Sequence, residues 1–138
     1  MAFFNPALNN PKARVQSFTV NAHLAGTTPA TAGNYGRFWT APAKCVVDSV
    51  EAVFAANSSS GTVTVHKVPS GTAQDSGTDF LSSTISTASG ANTRQQGTLS
   101  TTKATVELAA GDSLQIVDSG TLTSLTNLGV TVGLHWIS

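Results

Sequence analysis

Two aspartates, Asp112 and Asp118, lie six residues apart in the stretch ELAAGDSLQIVDSG at residues 107–120. Two carboxylates can act together as a general acid and a base, or they can supply oxygen ligands to a calcium ion. The residues between them fit one β-strand, which would be about 17 Å long at roughly 3.4 Å per residue. Carboxylates that cleave glycosidic bonds lie roughly 5–9.5 Å apart. We therefore expect the two aspartates to lie in turns at opposite ends of a strand, without a joint catalytic role.

Other residue types that carry chemistry do not converge. His23, His66 and His135 fall on three different predicted strands, each opposite the apolar side chains, which is typical of histidines that face solvent or an interface. We expect Cys45 to be a small core residue rather than a nucleophile. The acidic loop DSGTD at 75–79 has too few ligands for a known calcium motif, so a plain turn is expected. Because the sequence also lacks a phosphate-binding glycine loop and a Gly-x-Ser-x-Gly elbow, we predict no catalytic residue, no cofactor and no bound metal.

The composition indicates a surface that is solubilised by hydroxyl groups. Charged residues make up 10% of the chain, whereas about 25% is typical of soluble domains. Serine and threonine together account for 36 of the 138 residues. The net charge is zero, so the chain lacks the basic character that binds nucleic acids or anionic membranes. No apolar run approaches the roughly 20 residues of a membrane-spanning helix, and we expect neither a nucleic-acid partner nor a membrane partner.

The start of the chain and its cysteine content suggest where the protein is made. The N-terminal sequence MAFFNPALNN lacks the basic start and the long apolar stretch of a signal peptide. The single Cys45 cannot form an intramolecular disulfide. We therefore expect synthesis in a reducing cytoplasm.

Apolar and polar residues alternate along most of the chain, which is the pattern of half-buried β-strands. Strands are predicted at 17–24, 35–39, 44–56, 62–68, 80–86, 98–108, 113–117 and 128–137, with turn-rich loops between them. Within 44–56, alternation places Val46, Val50, Ala52 and Phe54 on one face. Seven or eight such strands predict an all-β, antiparallel β-sandwich over residues 17–138, with a jelly roll favoured over an immunoglobulin-like sandwich. The predicted core comprises Phe18, Val20, Val50, Phe54, Val63, Val65, Val106, Leu114, Ile116, Val130, Val132, Leu134 and Trp136.

Residues 1–16, MAFFNPALNNPKARVQ, show no sustained periodicity and contain two prolines that favour an extended path. We interpret this segment as an extended N-terminal arm. Its apolar side chains need a surface to cover, and two basic residues lie near its base. The residues expected to bind a surface on this subunit or on another are Phe3, Phe4, Leu8, Lys12 and Arg14.

The order of the segments FWTAPAKCVVDSVEAVF, GTVTVHKVPSGTA, GTDFLSSTIS, VELAAGDSLQIVDSGTLTSL and VTVGLHW resembles that of small β-sandwich structural proteins of tailed bacteriophages. These are head decoration (cement) proteins and head-fibre domains, and the resemblance covers roughly residues 35–137. Such families have no catalytic motif, so no functional residue is carried over. The resemblance implies a protein made in the bacterial host cytoplasm that binds the major capsid protein on the capsid exterior, often as a homotrimer, and stabilises the capsid non-covalently.

Two further expectations concern assembly and the competing functions. The strands at 62–68 and 128–137 carry almost no charge to protect a sheet edge, so we expect a neighbouring subunit to cover them. A receptor-binding or carbohydrate-binding module of a phage fibre would share the sandwich and would display aromatic rings; Tyr35 and Trp39 could stack on a sugar, although packing in the core or at an interface is favoured. A hydrolase is disfavoured because no acid, base and nucleophile converge.

Overall fold

The computed structural model describes residues 16–29 and 36–137, and nearly all of its regular structure is β-strand. Two short helical segments interrupt the strands: a 3₁₀ turn at Gln74–Ser76 and the four-residue helix α1 (Lys103–Val106). The strands are β1 (Ser17–Thr27), β2 (Arg37–Thr40), β3 (Cys45–Val53), β4 (Thr62–Val68), β5 (Thr78–Asp79), β6 (Leu81–Ser83), β7 (Ile85–Ser86), β8 (Gln95–Gln96), β9 (Thr98–Leu99), β10 (Glu107–Leu108), β11 (Ser113–Ser119) and β12 (Thr126–Trp136).

The chain forms a long antiparallel hairpin that is rolled into two sheets. Along this hairpin β1 pairs with β12, β2 with β11, β3 with β10, and β4 with β5. Rolling places the strands in the order β1-β12-β3-β10 in the first sheet and β2-β11-β4-β5 in the second; β8 adds to β3, β7 adds to β4, and β6 pairs with β9 separately. Eight strands arranged as two such sheets form a jelly roll. The predicted all-β, jelly-roll-like sandwich is confirmed.

The core lies between the two sheets and follows the predicted alternation. Nine of the thirteen predicted core residues are buried, and the other four, Phe18, Val20, Val106 and Trp136, are half-buried and pack against the core. The alternation does not identify Phe80, Leu122 and Leu125, which lie outside the strands and are 0–1% exposed. These three side chains close the core from the connecting loops.

A β-bulge in β3 makes one part of the predicted face wrong. Gly133 pairs with Ser49 and Leu134 pairs with Val47, so Asp48 is an extra residue opposite β12. Because one inserted residue inverts the alternation, Cys45 and Val47 are buried, whereas Val46 is only half-buried. The bulge also turns the Asp48 carboxylate towards β12.

The single strand predicted at 98–108 is also wrong. Within it Thr98–Leu99 and Glu107–Leu108 are strands, but Lys103–Val106 is helical. The ammonium group of Lys67 on β4 donates hydrogen bonds to the carbonyl oxygens of Ala104 at 2.6 Å and Glu107 at 3.1 Å. These long-range bonds satisfy carbonyls at the end of α1, and a local pattern of apolar residues cannot reveal them.

The strands that we expected at sheet edges are interior strands. β12 lies between β1 and β3, and β4 lies between β11 and the short strands β5 and β7. No neighbouring subunit is needed to cover them. Within the described residues, the long strand at a sheet edge is β1, with 11 residues.

The sandwich has two ends, which we call the base and the tip. The base comprises the connections 41–44, 69–77 and 109–112, where β1 begins and β12 ends. The tip comprises the segments 54–62, 84–93 and 119–127, which join or extend the strands at the opposite end. Gln16 lies at the base, where its carbonyl accepts a hydrogen bond from the Trp136 amide, so the first described segment begins there.

Candidate interaction surfaces

Asp112 and Asp118 lie at opposite ends of β11, which excludes a shared catalytic role. Asp112 lies in the turn before β11, where its side chain accepts a hydrogen bond from the Ala109 amide at 2.9 Å. Asp118 belongs to β11 itself, opposite Val63, and is 7% exposed. The turn predicted at Asp112 is confirmed, whereas the turn predicted at Asp118 begins one residue after β11, at Gly120.

Cys45 is a core residue at the base, as predicted. Its side chain is fully buried, and it begins β3 beside β10. Burial, and to a smaller extent the charge of Asp112, raise the pKa of the Cys45 thiol to about 11. A thiol of this kind stays protonated at neutral pH and is a poor nucleophile.

His135 forms an ion-pair-like contact across the outer face of the first sheet. Its Nδ1 atom lies 2.8 Å from both carboxylate oxygens of Asp48, which the bulge in β3 places opposite. A shallow, open cleft of about 480 Å³ lies beside this pair and is lined in part by Ser17 and Ser49. The absence of a side chain at Gly133 makes room for Ser49, since a Cβ atom there would lie 2.5 Å from the Ser49 hydroxyl.

This cleft contains the residue types of a serine nucleophile and a histidine–aspartate base but not their arrangement. Nucleophilic catalysis requires the hydroxyl within hydrogen-bond reach of the imidazole. In the part of the chain that the structure describes, neither Ser17 nor Ser49 forms a hydrogen bond with His135. The His135–Asp48 pair therefore links β12 to the bulge in β3.

The second histidine–aspartate contact lies on the outer face of the second sheet, where β5 pairs with β4. Asp79 accepts hydrogen bonds from the Thr64 hydroxyl and from the Leu81 amide at 2.8 Å, and His66 Nε2 lies 3.7 Å from its carboxylate. Burial alone would raise the pKa of Asp79, but the contact with His66 and the hydrogen bonds from Thr64 and Leu81 outweigh it and hold the pKa below its ordinary value. The predicted acidic loop at 75–79 thus ends in a structural carboxylate.

The histidines do not form a shared site. His23 is exposed on β1, whereas His66 and His135 lie on different sheets. Among residues 16–29 and 36–137 the side chains of His, Cys, Asp and Glu form no group of three or more that could hold a metal ion. No described helix is long and apolar enough to cross a membrane.

An aromatic cluster closes the core near the base. Phe18 on β1 stacks on Trp136 of β12, with ring centroids 4.2 Å apart. Trp39 on β2 packs against both rings, at 5.8 Å from Phe18 and 6.4 Å from Trp136. Trp39 therefore packs between the two sheets, in agreement with the prediction of core packing rather than stacking on a sugar. Tyr35 lies outside the described residues.

Next to the base, a group of three lysines surrounds one glutamate, Glu107. Lys44 forms an ion pair with Glu107 at 2.7 Å, and Lys67 binds the Glu107 carbonyl. The hydrogen bond from Lys44, together with the charges of Lys103 and Lys67, lowers the pKa of Glu107. The lysines outnumber the glutamate in this group, but the base segments themselves hold one lysine, Lys44, and two aspartates, Asp75 and Asp112.

The tip differs sharply from the base because it contains no ionisable side chain. Serine, threonine and asparagine make up 17 of its 28 residues. Backbone hydrogen bonds join its three segments: Ser58 and Thr87 are linked at 2.7 Å, and Ser60 and Thr121 at 3.0 Å. The buried hydroxyls of Ser58 and Thr87 add a side-chain bond of 2.8 Å. The tip is therefore an uncharged polar surface whose segments are joined by hydrogen bonds. The sequence had indicated only separate loops.

The five arm residues proposed for binding, Phe3, Phe4, Leu8, Lys12 and Arg14, lie outside the described residues. The first described residue is Gln16, which lies at the base. Gln16 lies at the same end of the sandwich as Lys44, whose carbonyl accepts a hydrogen bond from the Ile137 amide.

No protein-family model matches the sequence, and no curated protein matches it. A chain in the capsid asymmetric unit of the cyanophage Pam1 is 14% identical, with a TM-score of 0.50, covering 90% of this chain and 86% of that chain. A chain of the infectious bursal disease virus VP2 subviral particle is 12% identical, with a TM-score of 0.45, covering 89% of this chain and 33% of that chain. A chain of the disulfide-linked pili described as Bacillus endospore appendages is 15% identical, with a TM-score of 0.39, covering 90% and 89%. At these identities the likeness to the Pam1 chain shows the fold alone, and these structural neighbours include viral capsid proteins.

Proposed function

We propose that this chain is a structural protein of a bacteriophage virion, and more specifically a capsid decoration (cement) protein. The observation that carries the proposal is the complete eight-strand jelly roll, which matches a chain of the Pam1 capsid over most of the length of both chains. The strand-and-turn segments that resemble phage decoration proteins form this jelly roll. In this function the protein is not an enzyme.

Attachment is proposed to be non-covalent, through the arm and the base to the outer surface of the major capsid protein. The arm would join the domain through Gln16 at the base, the end of the sandwich at which Lys44 also lies. Burial of Phe3 and Phe4 against a capsid would contribute roughly 3–6 kcal/mol before the cost of ordering the arm. The tip, which lies at the other end, then points away from the shell. The expectation of a homotrimer rests on the resemblance alone, because the strands that we expected a neighbouring subunit to cover are interior.

The test mixes purified protein with undecorated capsids and measures occupancy by sedimentation and cryo-electron microscopy. The wild-type protein is expected to occupy the outer surface. Replacing Phe3 and Phe4 together by alanine should weaken binding at least about tenfold, whereas replacing Asn9 and Asn10 in the same arm should leave it unchanged. Equal occupancy by both double variants would show that the aromatic anchors are not the attachment element. A protein that binds host-cell glycans and never capsids would overturn the proposal in favour of a receptor-binding module.

A further inference from the structure

The outer edge of β1 differs from every other edge of the two sheets. The first sheet ends on its other side in β10 and β8, which have two residues each. The second sheet ends in β5 and β7, also with two residues each, and in β2, which has four residues and a register shift. β1 has 11 residues and keeps an unbroken register with β12 from Ser17 to Leu24. Among the described residues, no strand pairs with its outer edge.

β1 also lacks the features that usually prevent edge-to-edge pairing. Proteins protect exposed edges with short strands, charged side chains, prolines or bulges. The sequence of β1, SFTVNAHLAGT, contains no lysine, no acidic residue and no proline, and its register shift occurs only after Leu24. Phe18, Val20, Ala22 and Leu24 point towards the core but are only half-buried. The edge is therefore long, uncharged and incompletely covered.

The hydrogen-bond pattern fixes which backbone groups are available on this edge. The Trp136 amide donates to the Gln16 carbonyl, so Gln16 and Trp136 form a hydrogen-bonded pair. Such pairs alternate along an antiparallel ladder. The backbone N–H and C=O groups of Thr19, Asn21 and His23 consequently point away from β12, towards the outer edge.

We propose that two copies of this chain pair through β1, antiparallel and about a two-fold axis at Asn21. This axis gives the longest self-pairing of residues 17–25, and it places Asn21 opposite its own copy and Thr19 opposite His23. Both are hydrogen-bonded positions, as the direction of their backbone groups requires. On the core side, Phe18 meets Leu24 and Val20 meets Ala22, so apolar side chains face apolar side chains.

The occupant is a second copy because the strand is complementary to itself. No charged side chain lies opposite a like charge in this register, and every apolar residue meets an apolar residue. The paired first sheets would form one continuous sheet across the two molecules. This contact concerns the isolated protein and does not depend on capsid attachment.

The first experiment measures self-association of the isolated full chain by sedimentation equilibrium. The wild type is expected to dimerise. Asn21→Pro removes the central outward N–H without disturbing the β1–β12 ladder, since prolines are tolerated on the free side of edge strands, and it should weaken association about tenfold or more. The matched control Asn21→Thr keeps the N–H and should associate like the wild type. A monomeric wild type, or a trimer unaffected by Asn21→Pro, overturns the inference and leaves the capsid proposal standing.

The second experiment tests the register and stays decisive if Asn21→Pro does not fold. Facing residues in a hydrogen-bonded pair have Cα atoms about 5.5 Å apart, within the range of a disulfide. Asn21→Cys should therefore cross-link two copies under mild oxidation. His23→Cys, exposed on the same strand but offset by roughly 14 Å from its own copy, should not. Equal cross-linking of the two variants, or none, overturns the proposed axis.

Discussion

Replacement of Gly61 by alanine tests whether the tip is as tightly packed as the structure shows. A Cβ atom at Gly61 would lie 2.3 Å from Leu122 Cδ2, 2.7 Å from the Thr87 hydroxyl and 2.9 Å from the Ser58 hydroxyl. Optimal contacts between carbon atoms are about 3.5–4.0 Å, so the methyl group overlaps Leu122 Cδ2 by more than about 1 Å. The backbone cannot withdraw freely, because the Gly61 amide donates to Ser58 Oγ and its carbonyl accepts from the Thr87 amide, both at 2.9 Å.

We expect Gly61→Ala to lower the free energy of unfolding by about 1–3 kcal/mol, which is the usual cost of overpacking a filled site. With a urea m-value of roughly 1.5–2 kcal/mol per molar, the unfolding midpoint should fall by about 0.5–2 M. The matched control is Gly36→Ala, because a Cβ atom there has no neighbour within 4 Å. That variant should unfold within about 0.5 kcal/mol of the wild type.

The assay is urea unfolding followed by tryptophan fluorescence, which reports from the Trp39–Trp136 cluster at the opposite end of the domain. A double variant that combines Gly61→Ala with Leu122→Val should lose less stability than the sum of the two single variants, since the smaller side chain makes room for the methyl group. Coincident midpoints for Gly61→Ala and Gly36→Ala would refute the steric argument.

Three further predictions concern single side chains. The folded-state pKa of Asp79 is depressed, so its contribution to stability is present above pH of about 4 and is lost as the pH falls through the lowered value. Asp79→Asn should therefore be less stable than the wild type at pH 7, and the difference between their urea midpoints should be smaller at pH 3. A difference that does not change with pH would contradict the assignment. With its pKa raised to about 11, the buried Cys45 should resist thiol reagents at pH 8 in the native protein and react fully in urea; rapid native labelling would show that the base opens. Lys67→Met keeps the aliphatic stem but removes the donor to two carbonyls, and it should lower the free energy of unfolding by about 1–3 kcal/mol. Lys103→Met, at an exposed position, should lower it by almost nothing. Similar losses in the two variants would show that the two hydrogen bonds of Lys67 do not stabilise the fold.

The sequence predicted the parts of the fold that depend on local alternation. The last strand, with Leu128, Val130, Val132 and Leu134 on one face, was predicted correctly because its register with β1 and β3 is regular there. Alternation failed at Asp48, where one inserted residue inverts the two faces. It failed again at α1, where a lysine from a distant strand holds the carbonyls.

The surfaces were harder to predict than the core. A strand is at an edge or in the centre of a sheet according to the order of pairing, which joins residues far apart in the chain; the edge therefore appeared at β1 and not at β4 or β12. The turn at Asp112 was predictable because an aspartate after a glycine stabilises a turn through its own neighbours. The lysines around Glu107 gave no local signal, since the connection before β3, the strand β4 and the helix α1 bring them together.

The rolled hairpin also determines when the domain can fold during synthesis. Ser17 at the start of β1 pairs with His135 near the end of β12, and β12 is the strand that joins β1 to β3. At about 5–20 residues per second, a ribosome needs roughly 6–24 s to travel from one to the other. During that time β1 has no partner in its own sheet, and non-local pairings of this kind form slowly. The first sheet therefore assembles only after its central strand has been made, so the part of the chain already synthesised must stay unaggregated until then.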